Sequence, residues 1–174
     1  CSINRQESSS SHCYYRQHKD SWPVVHHTVT MHGEIVIQYI GCIGVKTSMR
    51  SLNPKTRSKV AKESINRLCK ANNIDRKIEE KPQHDYINQM LDHEPNLLYS
   101  GTRVELNITT THLNVISKET NETIVQHEMP NVSFASSGDN ETADFVAYVA
   151  KNPEVKRACY VLKCSFGSGK IVLD

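Results

Sequence analysis

Phe145-Val146-Ala147-Tyr148-Val149-Ala150 and Ala158-Cys159-Tyr160-Val161-Leu162-Lys163-Cys164, joined by Lys151-Asn152-Pro153-Glu154-Val155-Lys156-Arg157, form the stretch that decides the fold. Both apolar runs are short, rich in β-branched and aromatic residues and bounded by polar ones, which marks strands rather than helices. Asn152-Pro153 between them marks a turn, so the two runs are expected to pair as an antiparallel hairpin. Lys151 and Arg157 flank that turn and should lie close in space, a pairing that suggests an anion site. Val132-Ser133-Phe134-Ala135-Ser136 reads as another strand of the same sheet.

Working outward, residues 104–108, 112–116 and 123–127 have the same strand character and are separated only by short polar turns. Strands joined so closely pair antiparallel, because parallel pairing needs a long crossover. Residues 34–45 read as a central strand, with Ile35, Ile37, Tyr39 and Ile43 on one face and Val36, Ile40 and Cys42 on the other. A helix follows it. Asn53 is a good N-cap, Pro54 suits the first helical position, and Ala61, Ile65, Leu68 and Cys69 recur at helical spacing up to Asn72-Asn73. Lys55, Arg57, Lys59, Lys62 and Lys70 occupy its other face, where solvation is the simplest account. Residues 75–95 are polar and weakly periodic, with one short helix expected near 86–91. The fold class is α+β, mainly β: a sandwich or barrel of antiparallel meanders with one inserted helix.

A chain of 174 residues with 37% hydrophobic residues supports one core of ordinary size. Residues 1–20 are rich in Ser, His, Arg and Gln and cannot bury enough surface to offset their ordering entropy, so they are expected to be a disordered tail before a single domain at 21–174. Twenty-one Lys and Arg stand against 19 Asp and Glu, a net charge of +2, which gives no chain-wide field for nucleic acid or a membrane surface. Any anion site must be local. No apolar run approaches the roughly 18 residues needed to span a bilayer, no signal peptide is visible, and an intracellular protein is expected. Six cysteines at positions 1, 13, 42, 69, 159 and 164 lack CxxC spacing and are expected to be reduced. Four Asn-x-Ser/Thr triplets, at Asn107, Asn121, Asn131 and Asn140, are attributed to the Asn- and Thr-rich composition.

Enzyme signatures are missing. Ser165-Phe166-Gly167-Ser168-Gly169-Lys170 lacks the spacing of a phosphate loop, and five of the nine histidines fall in the first 32 residues without a partner pattern for a metal. No catalytic residue, metal or cofactor is expected.

Tyr39-Ile40-Gly41-Cys42-Ile43-Gly44-Val45, Ser48-Met49-Arg50, Ser133-Phe134-Ala135-Ser136, Val146-Ala147-Tyr148-Val149-Ala150-Lys151 and Arg157-Ala158-Cys159 occur in that order. From about Trp22 to the end, the chain resembles the phosphotyrosine-binding (PTB/PID) domain of the Shc adaptor proteins. The resemblance implies a pleckstrin-homology-like fold, two roughly orthogonal antiparallel sheets closed by a C-terminal helix. It implies an adaptor that binds Asn-Pro-x-phosphotyrosine (NPxY-type) peptides on the tails of activated tyrosine-kinase receptors, as a cytoplasmic monomer recruited to the plasma membrane, without nucleic acid.

The peptide would add as a strand to the edge formed by Asn131, Val132, Ser133, Phe134 and Ala135, where main-chain bonds give affinity and side chains give selection. Its phosphate would be held by Arg50, Ser133, Lys151 and Arg157. A phosphotyrosine carries a charge of roughly −1.5 to −2 and three acceptor oxygens, which guanidinium forks, an ammonium and a hydroxyl satisfy together. Family positions that contact acidic phosphoinositides correspond to Glu94, Leu98 and Asn121, which leaves at most a weak acidic-phospholipid contact. The chain stops at Asp174 where the capping helix should begin, so residues 1–174 alone are expected to bind phosphopeptide weakly. Two alternatives stay open: phosphate-independent binding of NPxY peptides, and a phosphoinositide module using Lys55, Arg57, Lys59 and Lys62.

Overall fold

The computed structural model describes residues 35–75, 85–138, 142–152, 157–165 and 169–173. The predicted tail at 1–20, and the part of the predicted turn at 153–156, lie outside the described residues. In chain order the elements are β1 (Ile37–Gly44), α1 (Pro54–Ala71), α2 (Asp85–Met90), β2 (Arg103–Ile108), β3 (His112–Ser117), β4 (Thr123–Glu128), β5 (Val132–Ser137), β6 (Phe145–Ala150), β7 (Ala158–Cys164) and a short helical turn α3 (Gly169–Leu173). Two 3-10 turns, Met49–Ser51 and Met129–Asn131, precede α1 and β5.

The strands hydrogen-bond in the order β4-β3-β2-β1-β7-β6-β5, and every pairing is antiparallel. The two expected sheets are therefore continuous through β1, which pairs with β2 at only two positions, Ile37 and Gln38, but with β7 along its whole length. β6 is buried at all six residues because core lies on both of its faces. Phe145, Ala147 and Val149 join the core beneath α1 and α2, while Val146, Tyr148 and Ala150 join the core on the opposite face. This two-sided burial is why β6 reads as an unbroken apolar run rather than an alternating one.

β1 does not alternate as predicted. Tyr39 packs in the second core and Ile40 and Ile43 in the first, while Cys42 packs against the second, so Tyr39 and Ile43 are on opposite sides. The cause is a bulge: the register against β7 slips between Tyr39 and Gly41, which places one extra residue in β1. Gly41 makes it possible. Its φ is +128°, and a Cβ there would stand 2.7 Å from the Asn96 carbonyl oxygen and 3.0 Å from Leu68. A glycine is needed both for the torsion and for the close approach of the 96–101 segment.

The predicted helix boundaries hold for α1. Asn53 Oδ1 accepts the Thr56 amide at 2.9 Å, and Pro54 occupies the first turn. At the other end Asn72 Nδ2 donates to the carbonyls of Leu68 at 2.8 Å and Ile40 at 3.0 Å, tying the last turn of α1 to β1. Arg67 donates to Glu63 Oε1 (2.9 Å), the Asp92 carbonyl (2.9 Å) and Asn88 Oδ1 (2.7 Å), which fixes α2 and the segment after it against α1. Among the described residues Cys42, Cys69, Cys159 and Cys164 form no disulfide, and burial pushes Cys159 up to about 12 and Cys164 up to about 11. Such thiols are inert packing groups rather than nucleophiles.

Candidate functional site

Four strands end in line at one rim of the sheet. Gly44 of β1 is opposite Ala158 of β7, Ala158 is opposite Ala150 of β6, and Ala150 is opposite Val132 of β5. The next residue outward on each strand continues the row. The Val45 amide donates to the Arg157 carbonyl at 3.0 Å, and the Lys151 amide donates to the Asn131 carbonyl at 3.0 Å. Arg157 and Lys151 thus occupy neighbouring strand ends, a separation of about 5 Å across the sheet. Their proximity, expected from the turn between them, follows from the β6–β7 register itself.

Arg50 reaches the same rim from the other direction. β1 ends at Gly44, the chain turns through Met49–Ser51, and an Arg50 guanidinium nitrogen donates to the Pro130 carbonyl at 3.3 Å, one residue before Asn131. Met49 in that turn is fully buried in the first core, which anchors the segment. Arg57 adds a second tether: it donates from Nε to the Leu52 carbonyl at 2.8 Å and from a terminal nitrogen to the Arg50 carbonyl at 3.4 Å.

Ser133 sits at a bulge in β5, where the register against β6 slips between Val132 and Phe134. Its Oγ donates to the Val149 carbonyl at 3.2 Å, so its oxygen is left to accept while its proton is held inward. A phosphate would have to draw that proton away by rotating the hydroxyl. Lys151 and Arg50 are exposed and Arg157 is half-buried. Among the described residues none of the three cations has an ion-pair partner. All four predicted phosphate ligands are therefore carried by one rim.

β5 borders this rim and is a sheet edge: among the described strands it pairs with β6 alone. Val132, Ser133, Phe134 and Ala135 fall in β5 as predicted. Asn131 does not; it closes the 3-10 turn, because Pro130 fixes that turn and the Val132 amide returns to the Met129 carbonyl. Its carbonyl still pairs with β6 through Lys151.

Behind the rim, His127 of β4 is buried at 2% exposure between Tyr148 and Tyr160, with ring centroids at 5.7 Å and 4.5 Å, and the two tyrosines stack at 5.1 Å. Neither His127 ring nitrogen meets hydrogen-bond geometry with a described partner. Burial pushes its imidazole below the ordinary value, and the nearby Lys151 main chain offsets part of that. Burial pushes Tyr160 up to about 12.

Two features near the rim escape sequence reasoning. Arg57 looks like one more solvated cation of a basic face, yet its place in the first turn of α1, where the helix dipole disfavours a positive charge, is the available signal that it answers to something else. The buried His127 carries no sequence signal beyond its place in an alternating strand. Of the cations of the phosphoinositide alternative, Arg57 is turned onto backbone carbonyls and Lys59 Nζ lies 3.3 Å from the Tyr86 hydroxyl, so both are engaged within the domain. Among the described residues no cluster of His, Cys, Asp and Glu could hold a metal, and no described helix is long and apolar enough to cross a membrane.

An antiparallel sheet with an inserted helix, and an edge strand left open beside a basic rim, is the architecture of an interaction domain. The profile of the phosphotyrosine interaction domain (PTB/PID) matches residues 36–173, and the chain belongs to that family. It is 38% identical over 152 residues to human SHC-transforming protein 4, covering 85% of this chain and 24% of that protein. It is 39% identical over 142 residues to human SHC-transforming protein 3, covering 79% of this chain and 23% of that one. The chain thus spans about a quarter of the length of these relatives. Among solved structures, the C-terminal phosphotyrosine interaction domain of APBB2 from mouse aligns with a TM-score of 0.48 at 14% identity, covering 85% of this chain and 88% of that domain.

Proposed function

We propose that this domain, taken as residues 21–174, binds tyrosine-phosphorylated Asn-Pro-x-Tyr peptides on receptor tails. The peptide adds as a strand to β5, and Arg50, Ser133, Lys151 and Arg157 hold the phosphate. In that role the protein is a non-enzymatic adaptor, working in the cytoplasm and brought to the plasma membrane by activated receptors. The observation that carries the reading is the row of cross-strand partners Gly44, Ala158, Ala150 and Val132, which, with the Arg50 hydrogen bond to the Pro130 carbonyl, brings three cations and a serine to one rim beside an open strand edge. Electrostatics favour the phosphorylated form. A dianionic phosphate meets three cations that have no described carboxylate to satisfy them, whereas an unmodified tyrosine would leave them merely solvated.

The test is calorimetry of the full-length protein with one Asn-Pro-x-Tyr peptide in phosphorylated and plain forms. Loss of a charge-assisted hydrogen bond costs about 1.5–3 kcal/mol, so Arg157→Gln and Arg50→Gln should each weaken the phosphorylated peptide by roughly 10- to 100-fold. Ser133→Ala should weaken it by much less. Equal affinity for the two peptides, unchanged by Arg157→Gln, would establish the phosphate-independent alternative instead.

A further inference from the structure

β4 and β5 stand at opposite ends of the strand order, yet they are consecutive in the chain, joined by the turn Met129–Asn131 alone. The sheet therefore folds over the second core so that its two edges meet at this corner. We propose that the corner sets the spacing of the phosphate-binding cations, and that His127, the penultimate residue of β4, is the positioning residue that holds it. The inference rests on phosphopeptide binding at the rim.

The main chain of the corner meets two of the three cation-bearing segments. The Pro130 carbonyl accepts the Arg50 guanidinium at 3.3 Å, and the next carbonyl, that of Asn131, accepts the Lys151 amide at 3.0 Å. The two carbonyls flank one planar peptide unit, so a displacement of the corner moves Arg50 and Lys151 together. Arg157 is held separately, through the bond of its own carbonyl with the Val45 amide. A shift of the corner thus changes how the first two cations stand relative to the third.

His127 fixes the corner from inside. Its buried ring stands edge-on to Tyr148 of β6 and Tyr160 of β7, and it lies beside the Lys151 main chain. Edge-to-face contacts have a preferred geometry, so the ring locks β4 against β6 and β7 in one position. Met129 packs against the same core and its amide donates to the Thr111 carbonyl at 2.8 Å, which leaves the chain little freedom between His127 and Pro130. The Tyr160 hydroxyl is hydrogen-bonded to the Asn152 side chain, next to Lys151, so the same aromatic group also holds the end of β6. Neither His127 ring nitrogen meets hydrogen-bond geometry with a described partner, and the shape of the ring therefore carries the role.

The experiment is calorimetry of the full-length protein with a phosphorylated Asn-Pro-x-Tyr peptide, at a temperature well below the melting midpoint of each variant. His127→Ala should weaken binding about 10-fold, the low end of losing one charge-assisted hydrogen bond. His127→Phe, which restores a flat ring, should stay within about twofold of wild type. In Arg50→Gln and Lys151→Met backgrounds the cost of His127→Ala should fall to about threefold or less, and in an Arg157→Gln background it should stay near 10-fold, because only residues acting through one another depart from additivity. Where His127→Ala does not fold, His127→Leu, which keeps apolar bulk in the core without a ring, takes its place in the same cycle. Equal costs in every background, or His127→Phe binding as poorly as the ringless variant, would overturn the role of His127 alone. Failure of the wild-type protein to bind the phosphorylated peptide would overturn the proposed function and this inference together.

Discussion

The Arg57 guanidinium, on the first turns of α1, donates to the main-chain carbonyl of Arg50, so one cation of the chain holds in place the segment that presents another. Its second bond, to the Leu52 carbonyl, leaves the 50–52 segment little freedom. Arg50 in turn donates to the Pro130 carbonyl, beside the start of β5. The three bonds form a chain of tethers from the helix to the edge strand.

Arg57 is therefore expected to act on peptide binding through Arg50. Arg57→Gln should weaken phosphopeptide binding by about 5- to 10-fold, and the same change in an Arg50→Gln background should cost almost nothing, because residues acting through one another are not additive. In an Arg157→Gln background its cost should be undiminished. Isothermal calorimetry on the double-mutant cycle reads this directly, and equal costs in all three backgrounds would reduce Arg57 to a stability residue.

Gly41 is expected to be the least replaceable residue of β1. Gly41→Ala puts a Cβ at 2.7 Å from the Asn96 carbonyl in a backbone with φ +128°. Torsional strain and overpacking together should cost roughly 2–5 kcal/mol, which lowers the thermal midpoint by roughly 6–15 °C. A variant that melts within a degree or two of wild type would mean that β1 does not need its bulge.

His127 is expected to make folding sensitive to mild acid. Its folded-state pKa lies below the ordinary value, because burial between Tyr148 and Tyr160 disfavours the charged ring. The unfolded chain then binds a proton first. The stability linked to this group is complete above the unfolded value of about 6.5 and is lost progressively as pH falls from there toward the folded-state value. Thermal melts between pH 7.5 and 5 should have a steeper acid slope for wild type than for His127→Phe, which keeps the aromatic contacts without the titration. Parallel slopes would rule His127 out as the source.

Strand positions were legible in the sequence because β6 and β7 bury both faces and α1 carries its own start signal in Asn53-Pro54. The bounds of β6 and β7 match the structure to the residue. The facing of β1 was not legible, since a bulge leaves the composition of a strand untouched and changes only its pairing; Gly41 was the sole hint. Nor could the convergence of Arg50 with Lys151 and Arg157 be read from periodicity. Arg50 is about a hundred residues from the other two, and what joins them is the register of β1, β7, β6 and β5 together with the Arg50 bond to the Pro130 carbonyl, neither of which leaves a mark on local periodicity. The roles of Arg57 and Asn131 were hidden for a related reason, because both work through main-chain carbonyls.

Strand addition at β5 is tested most directly by amide NMR of the isotope-labelled full-length protein during titration with a phosphorylated Asn-Pro-x-Tyr peptide. The largest shift changes should fall on Val132 to Ser137 and on Arg50, Lys151 and Arg157, and the amides of β5 should gain protection from hydrogen exchange while those of β4, the opposite sheet edge, do not. Changes confined to β4 or to the exposed lysines of α1, with β5 unmoved at saturating peptide, would contradict it.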